Sequence, residues 1–372
     1  MKTIHTNNEP AKWESKLSHN MLAGIEKGMI LMKKRLQILL TFCLIALLFV
    51  GCKTENESTN TPTSEPEASQ DAAAESITDT PETTVAPTEK TVLRIGMMSS
   101  YDVIPYVMIN ELGLADGYQL DLQLEVFTSA KDRDAAFLAG ELDGVLTDYI
   151  GVCIYQNADF DVKITGITDG DYVLVAGKNS GISSLDEIKG KSIAISQNTL
   201  IDYTLDQILA KNSLENDAVV KEIVPRIPDR VELLRNDKID LGLLPEPFAS
   251  IVLNDGAVYL GSANDLNLYP AVSAFTKTAL DERSEAIKNL YLAYNEAVAY
   301  LNKTDISGYE DTVINAVGYP EEMKGQITIE PFRESVLPPR EDVESAIAWA
   351  SNKGLCSSDL TYEQMVYDVY SK

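Results

Sequence analysis

The chain has 372 residues, and its 57 Asp and Glu outnumber its 31 Lys and Arg, which gives a formal charge of −26. Neutralising phosphates requires clustered basic side chains, so this balance argues against nucleic acid as a partner. Hydrophobic residues make up 45% of the chain, enough for a large core, and four cysteines in so long a chain do not form a disulfide scaffold.

The first 31 residues have the pattern of neither a domain nor a targeting signal. They are polar, their charges are scattered, and they hold both histidines of the chain, His5 and His19. A second methionine-led start follows at Met32. We therefore interpret residues 1–31 as an upstream extension that is not translated.

Residues 32–51 look like a bacterial lipoprotein signal peptide. Three basic residues at 33–35 precede a mostly apolar run that is too short to span a membrane comfortably. The run ends just before Cys52, the residue that such signals lipidate. Phe49 departs from the Leu that is usual three positions before the cysteine, and a plain signal peptide or a short anchor helix is the alternative.

Residues 52–91 are predicted to be a disordered tether. Residues 53–90 are largely Thr, Ser, Glu, Pro and Ala, which cannot bury enough apolar surface to offset the entropy of ordering. Two lysines stand against nine acidic residues there, a net charge of −7. We expect this segment to hold the folded part of the chain away from a membrane.

Removal of residues 1–51 changes the chemistry available to the chain. That leader contains seven basic and three acidic residues, so the remaining chain has a net charge of −30 and no histidine. Besides Cys52 it keeps only Cys153 and Cys356. Two cysteines so far apart in sequence either pair or remain buried thiols, and we favour buried thiols.

Strands and helices alternate from Val92 onward. The first predicted strands are residues 92–98, 118–127, 142–147, 162–168 and 172–176. The predicted helices between them are residues 103–112, 131–139 and 149–156. This alternation predicts an α/β fold with mostly parallel sheets.

The same order of elements begins again after residue 180. Its predicted strands are residues 192–196, 218–224, 239–244, 258–260 and 271–276. Its predicted helices are residues 199–211, 229–236 and 248–253. The pattern is then helical over residues 281–302, 308–317, 341–353 and 361–370.

Two stretches of the chain match in their spacing. Arg133 precedes Asp143 by the same ten residues that separate Arg230 from Asp240, and each acid opens a predicted strand. The repeat predicts two similar lobes with a ligand cleft between them. We assign residues 92–180 and 268–372 to the first lobe and residues 181–267 to the second, joined by a two-segment hinge near residues 178–183 and 262–267.

Polar loops follow the C-terminal ends of several predicted strands, where α/β sheets bind their ligands. Several of these loops precede helix N-termini, which suit a small polar or anionic group. They contain hydroxyls, amides, carboxylates and two tyrosines, but no Lys or Arg. The candidate ligand-binding residues are Ser99, Ser100, Tyr101, Thr147, Asp148, Tyr149, Asp169, Asp171, Ser196, Gln197, Asn198, Thr199 and Glu246.

Each candidate has a purely structural alternative. Serine and threonine hydroxyls could cap helices, paired aspartates could form a turn, and tyrosines could pack in the core rather than stack on a planar ligand. For Asp148 and Glu246, at equivalent strand ends, we favour ligand contact, because a carboxylate facing a cleft needs a cationic or donor partner.

Enzyme signatures are missing once the leader is removed. A chain without histidine has no Ser-His or Cys-His nucleophile pair and no two-histidine metal site, and neither a P-loop nor a GxGxxG loop occurs. The sequence therefore predicts no enzyme activity, no metal and no cofactor.

Four motifs resemble, in chain order, segments of the solute-binding proteins of ABC importers, in the nitrate/sulfonate/taurine and thiamine-precursor branch. They are residues 139–147 (AGELDGVLT), 184–196 (SLDEIKGKSIAIS), 244–249 (LPEPFA) and 348–355 (AWASNKGL). The resemblance covers about residues 92–370. It implies a bilobed type II periplasmic-binding-protein fold, with two mixed, mostly parallel sheets flanked by helices.

The resemblance also implies a function. Such proteins close on a small molecule and deliver it to a membrane permease driven by a cytoplasmic ATPase. The family's ligand contacts fall on Ser99 and Ser100, Thr147 and Asp148, residues 196–199, and Glu246. One enzyme-like branch of the family uses histidine and iron, and the chain after the leader has no histidine.

We therefore expect a monomer on the extracytoplasmic face of the cell membrane, attached only through lipid on Cys52. Because the loops contain acids and no cation, we favour a neutral or amine-bearing, planar ligand such as a pyrimidine over a sulfonate or nitrate. Two alternatives use the same fold. One is a small-metabolite lyase or deaminase with Asp148 and Glu246 as its acid–base pair, and the other is a ligand-sensing domain.

Overall fold

The computed structural model describes residues 89–371, so the predicted upstream extension, signal peptide, Cys52 and all but the end of the tether lie outside the described residues. The strands are β1 (Thr91–Met98), β2 (Leu120–Phe127), β3 (Gly144–Asp148), β4 (Val162–Ile167), β5 (Tyr172–Ala176), β6 (Ser192–Ile195), β7 (Val220–Ile223), β8 (Leu241–Pro245), β9 (Val258–Ser262) and β10 (Ala271–Thr276).

Helices connect these strands and form the C-terminal part of the described chain. They are α1 (Ile104–Glu111), α2 (Leu114–Gly117), α3 (Ala130–Leu138), α4 (Tyr149–Asn157), α5 (Leu200–Lys211), α6 (Ile227–Arg235), α7 (Phe248–Asn254), α8 (Lys277–Glu282), α9 (Ser284–Leu301), α10 (Glu310–Val313), α11 (Arg340–Asn352) and α12 (Tyr362–Met365). Among the described residues, no helix combines the length and the apolar character needed to cross a bilayer.

The strands form two sheets with the same topology. The first has the order β2-β1-β3-β10-β4 and the second the order β7-β6-β8-β5-β9. In each, three parallel strands are followed by an antiparallel one, β10 in the first sheet and β5 in the second. The predicted fold of two mixed sheets flanked by helices is confirmed. We call each sheet with its packed helices a lobe.

The matched aspartates found in the sequence hold equivalent strand pairs together. The Asp143 carboxylate accepts a hydrogen bond from the backbone N of Arg94 at 2.9 Å, between β3 and β1. The Asp240 carboxylate accepts one from the backbone N of Ser192 at 2.9 Å, between β8 and β6. This bond lowers the pKa of Asp240 below its ordinary value. The repeated motif therefore has a structural role in both lobes.

The chain crosses between the lobes at residues 168–171 and 263–270. The predicted first-lobe boundary at residue 180 is wrong, because β5 pairs with β8 and β9 and so belongs to the second sheet. The partner of a buried apolar strand is decided by the whole sheet, which the local pattern does not show. The second crossing overlaps the predicted segment 262–267.

Helices cover both faces of each sheet at its central strands. In the first lobe, Leu93, Ile95 and Met97 on β1 pack with α1 and α9, while Val145 on the other face packs with α4 and α11. In the second lobe, α5 covers one face and α6 and α7 cover the other. Continuous burial along β3 and β8 follows from this arrangement. Cys153 and Cys356 are buried free thiols, as we favoured from the sequence.

The predicted helix over residues 361–370 is wrong after its first turn. The α12 helix ends at Met365, and Val366 forms a parallel bridge with Ile164 of β4. The backbone N of Tyr367 donates to the Ile164 carbonyl at 2.9 Å. Pairing with the edge of β4 thus holds the residues after Met365 in an extended conformation.

We predict that Gly144→Ala destabilises the first lobe. A Cβ there would lie 2.6 Å from the Phe275 ring and 3.0 Å from the Ala274 carbonyl oxygen, both on the paired strand β10. Such overpacking should lower the free energy of unfolding by about 1–3 kcal/mol, measured by urea denaturation. In the control Gly117→Ala, a Cβ meets nothing within 4 Å, and a change within about 0.5 kcal/mol is expected. Equal stability of the two variants would contradict the packing described.

Candidate functional site

A cavity of about 70 Å³ lies where the strand ends of the two lobes face each other. Met98 and Asp148, at the ends of β1 and β3, line it from the first lobe. Tyr172 and Pro245, at the start of β5 and the end of β8, line it from the second. A molecule held there would contact both lobes.

Five of the thirteen candidate residues line this cavity: Ser100, Thr147, Asp148, Ser196 and Thr199. They lie just beyond β1, on β3, just beyond β6 and at the residue that caps α5. The cavity therefore lies at the strand ends where polar side chains were expected to be close together. The remaining eight candidates do not line it.

Asp148 combines a structural and a cavity-facing position. Its carboxylate caps α4 by accepting a hydrogen bond from the backbone N of Gly151 at 2.9 Å. Burial raises the pKa of Asp148, while the nearby Arg133 guanidinium and the Gly151 N–H oppose that rise. The side chain is thus both a helix cap and part of the cavity wall.

Asp102 is a second buried carboxyl in the wall, and the sequence analysis missed it. It is 5% exposed and accepts a hydrogen bond from Thr168 Oγ1 at 2.6 Å. Burial raises the pKa of Asp102, although the Thr168 and Ser100 hydroxyls oppose that rise. Within residues 89–371, no Lys or Arg forms an ion pair with it. Asp102 is therefore available to a polar group of a bound molecule.

Arg133 on α3 is a buried cation that the protein itself neutralises. Its Nη1 donates to the Leu146 carbonyl at 2.8 Å and its Nη2 donates to Thr147 Oγ1 at 2.9 Å. The Asp134 carboxylate lies 2.7 Å from Nη2. Burial opposes the charge of Arg133, but Asp134 and neighbouring groups raise its pKa above the ordinary value.

Arg230 on α6 is a buried cation without such a partner. It is 1% exposed, and it donates to the backbone carbonyls of Val224 at 2.8 Å and Pro225 at 3.1 Å, and to Ser196 Oγ. No carboxylate of the described chain forms an ion pair with it. Burial lowers the pKa of Arg230 to about 10, so the guanidinium remains charged at neutral pH. The cavity wall therefore holds one positive charge that pairs with no acidic side chain among residues 89–371.

The expectation of a cleft without a basic side chain is wrong. The strand-end loops indeed lack Lys and Arg, but both arginines reach the cavity from helices. The signal was present in the sequence repeat: each arginine donates to a carbonyl thirteen residues later, Leu146 for Arg133 and Leu243 for Arg230. The repeat indicated similar lobes but did not show which way these side chains point.

Three further candidates are held in the first lobe and do not line the cavity. The Ser99 hydroxyl donates to the Val317 carbonyl. Tyr101 stacks on Phe332, with ring centroids 4.7 Å apart, and its hydroxyl donates to a backbone carbonyl. Tyr149 is fully buried in the core beside α11. Both tyrosines therefore pack against other residues of the protein, which is the structural alternative to stacking on a planar ligand.

Asp169 and Asp171 lie in the first crossing segment and are engaged by the protein. The Asp169 carboxylate accepts hydrogen bonds from the backbone N of Arg333, at 2.8 Å, and from its Nε. Asp171 accepts one from the backbone N of Asn264 at 3.0 Å, which joins the two crossing segments to each other. These acids fix the connection between the lobes.

The last three candidates lie just before the starts of α5 and α7. Glu246 accepts a hydrogen bond from the backbone N of Ser250 at 3.1 Å, and burial raises its pKa. Gln197 is exposed. Asn198 has a left-handed φ of 58°, and its backbone N donates to the Asp202 carboxylate at 3.2 Å. None of the three lines the cavity.

Comparison with known sequences gives a family and several relatives. The NMT1-like family matches residues 86–309. Putative binding proteins of Brucella abortus (strain 2308) and Brucella suis biovar 1 (strain 1330) are each 25% identical to the chain over 213 residues. That match covers 55% of this chain and 65% of each relative, slightly less than two thirds of their length.

Solved structures show the same fold. The aliphatic sulphonate-binding protein of Escherichia coli has a TM-score of 0.63 and 16% identity, over 74% of this chain and 92% of its own. The alkanesulfonate-binding protein of Xanthomonas axonopodis pv. citri, bound to MOPS, has a TM-score of 0.65 and 16% identity, over 76% and 99%. The nitrate-binding protein of Synechocystis PCC 6803 has a TM-score of 0.58 and 13% identity, over 73% and 83%.

These neighbours are periplasmic binding proteins rather than enzymes, and at such low identity their likeness shows the bilobed fold alone. The family match is independent of that likeness and covers more than half of the chain. The chain therefore belongs to the NMT1-like family.

Proposed function

We propose that the chain is the solute-binding subunit of an ABC importer, which captures a small polar molecule between its lobes and delivers it to a permease with its cytoplasmic ATPase. The cavity supports this proposal, because two topologically equivalent lobes contribute strand ends to one site. Relatives described as binding proteins support it too.

The uncompensated Arg230 favours a ligand with an anionic group. A buried charge is costly unless it is paired, and a ligand carboxylate, sulfonate or nitrate would provide the missing partner. The first turn of α5 also lines the cavity at Leu200 and Ile201, so the positive end of the helix dipole adds to the positive potential. We therefore replace the sequence-based preference for a neutral or amine-bearing ligand by one for an anion.

The enzyme alternative loses support from the geometry. Its acid–base pair would be Asp148 and Glu246, but Asp148 lines the cavity and Glu246 does not. Asp148 is also engaged as the cap of α4.

Anchoring through lipid on Cys52, at the extracytoplasmic face of the membrane, completes the proposal. It rests on the sequence pattern of residues 32–52 and on the acidic, polar segment that follows.

For ligand binding we predict that Arg230→Met weakens the affinity for an anion at least about 30-fold, because truncating one partner of a buried charge pair costs about 2–5 kcal/mol. The measurement is isothermal titration of the chain without its leader, using 1-propanesulfonate, taurine, nitrate and an aminopyrimidine. Since the pKa of Arg230 is about 10, anion affinity should hold between about pH 6 and 8 and fall as the pH approaches 10.

The matched control is Arg235→Met, which removes an exposed arginine from the same helix, where it pairs with Asp255. Its affinity should equal that of the wild type. Binding of the aminopyrimidine alone, or equal anion affinity of Arg230→Met and wild type, would refute the anion assignment. Native mass spectrometry of the purified protein would then identify the co-purified solute.

For the anchor we predict that Cys52→Ser moves the protein from the membrane fraction to the soluble fraction. The thioether-linked lipid would no longer form, and the acidic tether has little attraction to an anionic bilayer. Cell fractionation and mass spectrometry of the mature N-terminus measure this. A Cys52→Ser protein that stays with the membrane after residues 32–51 have been cleaved off would exclude lipid anchoring at this residue, and a cellular peptide from residues 1–31 would exclude the proposed start at Met32.

A further inference from the structure

Helix α11 of the first lobe reaches across to helix α5 of the second. On its inner face, α11 packs Val343, Ala346 and Ala350 into the core of the first lobe. On the other side, α5 packs Leu205 and Leu209 into the core of the second lobe. Every bond between these two helices therefore joins the lobes.

Polar and aromatic contacts connect the two helices. Trp349 Nε1 donates to Asp206 Oδ2 at 2.9 Å, and Lys353 Nζ, just after α11, donates to Asp202 Oδ2 at 3.0 Å. The rings of Tyr203 and Trp349 meet edge to face, with centroids 5.5 Å apart. The Lys353 ammonium also lies 4.1 Å from the centroid of the Trp349 ring. We call these five residues the α5–α11 latch.

The charges of the latch depend on both lobes. Asp202 and Asp206 are 1% and 3% exposed, so each carboxylate needs a partner. Lys221 of β7, in the second lobe, lies 2.7 Å from Asp202 and 2.5 Å from Asp206. Lys353, in the first lobe, lies 3.0 Å from Asp202 and 3.4 Å from Asp206. Burial raises the pKa of Asp202, but the hydrogen bonds from Lys221 and Lys353 outweigh this and leave it below its ordinary value.

The latch is close to the cavity along the chain. Thr199, Leu200 and Ile201 line the cavity, and Asp202 is the next residue of α5. A helix moves as a rigid rod over one turn, so a force on Asp202 also positions this part of the cavity wall.

We propose that Lys353 and Trp349, through Asp202 and Asp206, hold the second lobe against the first over the ligand cavity. Lys353 is thus a positioning residue for ligand binding. The inference rests on the proposed function only in treating the cavity as the ligand site, and its first test needs no ligand.

Trp349 allows a direct measurement, because it is the only tryptophan after residue 51. Lys353→Met keeps an unbranched side chain over the indole ring but removes the ammonium that faces the two carboxylates. In the ligand-free chain without its leader, we expect acrylamide quenching of Trp349 to rise about twofold. The reason is that losing the partly exposed ion pairs of Lys353 shifts the ratio of closed to open forms several-fold. We also expect a larger radius of gyration by small-angle X-ray scattering.

Lys211→Met is the matched control, since it removes an exposed lysine from the last turn of α5, the helix that carries Asp202 and Asp206. It should leave quenching and radius of gyration at wild-type values, and Lys353→Arg should restore most of the wild-type behaviour. With 1-propanesulfonate as probe, Lys353→Met should raise the dissociation rate about three- to tenfold, with little change in the association rate. If Lys353→Met does not fold, a salt titration of the wild type replaces it. Quenching should then rise with ionic strength, because Lys353 is partly exposed.

Unchanged quenching and radius of gyration in a folded Lys353→Met protein, or salt-independent quenching of the wild type, would overturn the latch. A changed radius of gyration without binding of any probe would support the latch and count against the proposed ligand class only.

Discussion

The buried guanidinium of Arg230 imposes the constraint on which the interpretation of the site depends. A charge that is 1% exposed and bonded to carbonyl and hydroxyl oxygens is oriented, but it is not neutralised. Arg133, its equivalent in the first lobe, has the Asp134 carboxylate beside it. The two lobes therefore share a backbone plan but differ in charge at the cavity. That difference would orient an anionic ligand toward the second lobe.

Four aspartates of this acidic chain take part in connecting the lobes. Asp169 and Asp171 fix the crossing segments through backbone N–H groups and Arg333. Asp202 and Asp206 join α5 to Trp349 of α11 and to Lys353 just after it. Two of the four carboxylates predicted as ligand contacts, Asp169 and Asp171, thus help to hold the two lobes in a defined relation. A bilobed protein has few residues in its connections, so each connecting segment needs strong, directional bonds.

Local pattern was sufficient for most of the elements. The alternation of apolar residues located β2, the buried runs located β3, β5 and β8, and the capping threonine located the start of α5. The pattern failed where a long-range partner decides the conformation. The residues after α12 become extended because the edge of β4 accepts them, and β5 joins the second sheet because β8 and β9 flank it. Neither partner is close in sequence.

The sequence by itself determined the α/β class, the presence of two similar units and the polar strand ends at which a cavity forms. It could do so because these features follow from composition and from periodicity within about ten residues. Only the tertiary structure decided which charges face the cavity. Arg133 and Arg230 come from helix faces whose direction depends on how each helix packs on its sheet, while Glu246 turns to its own helix. The charge that the cavity presents is therefore a property of packing, and here packing adds two arginines that the loop composition did not indicate.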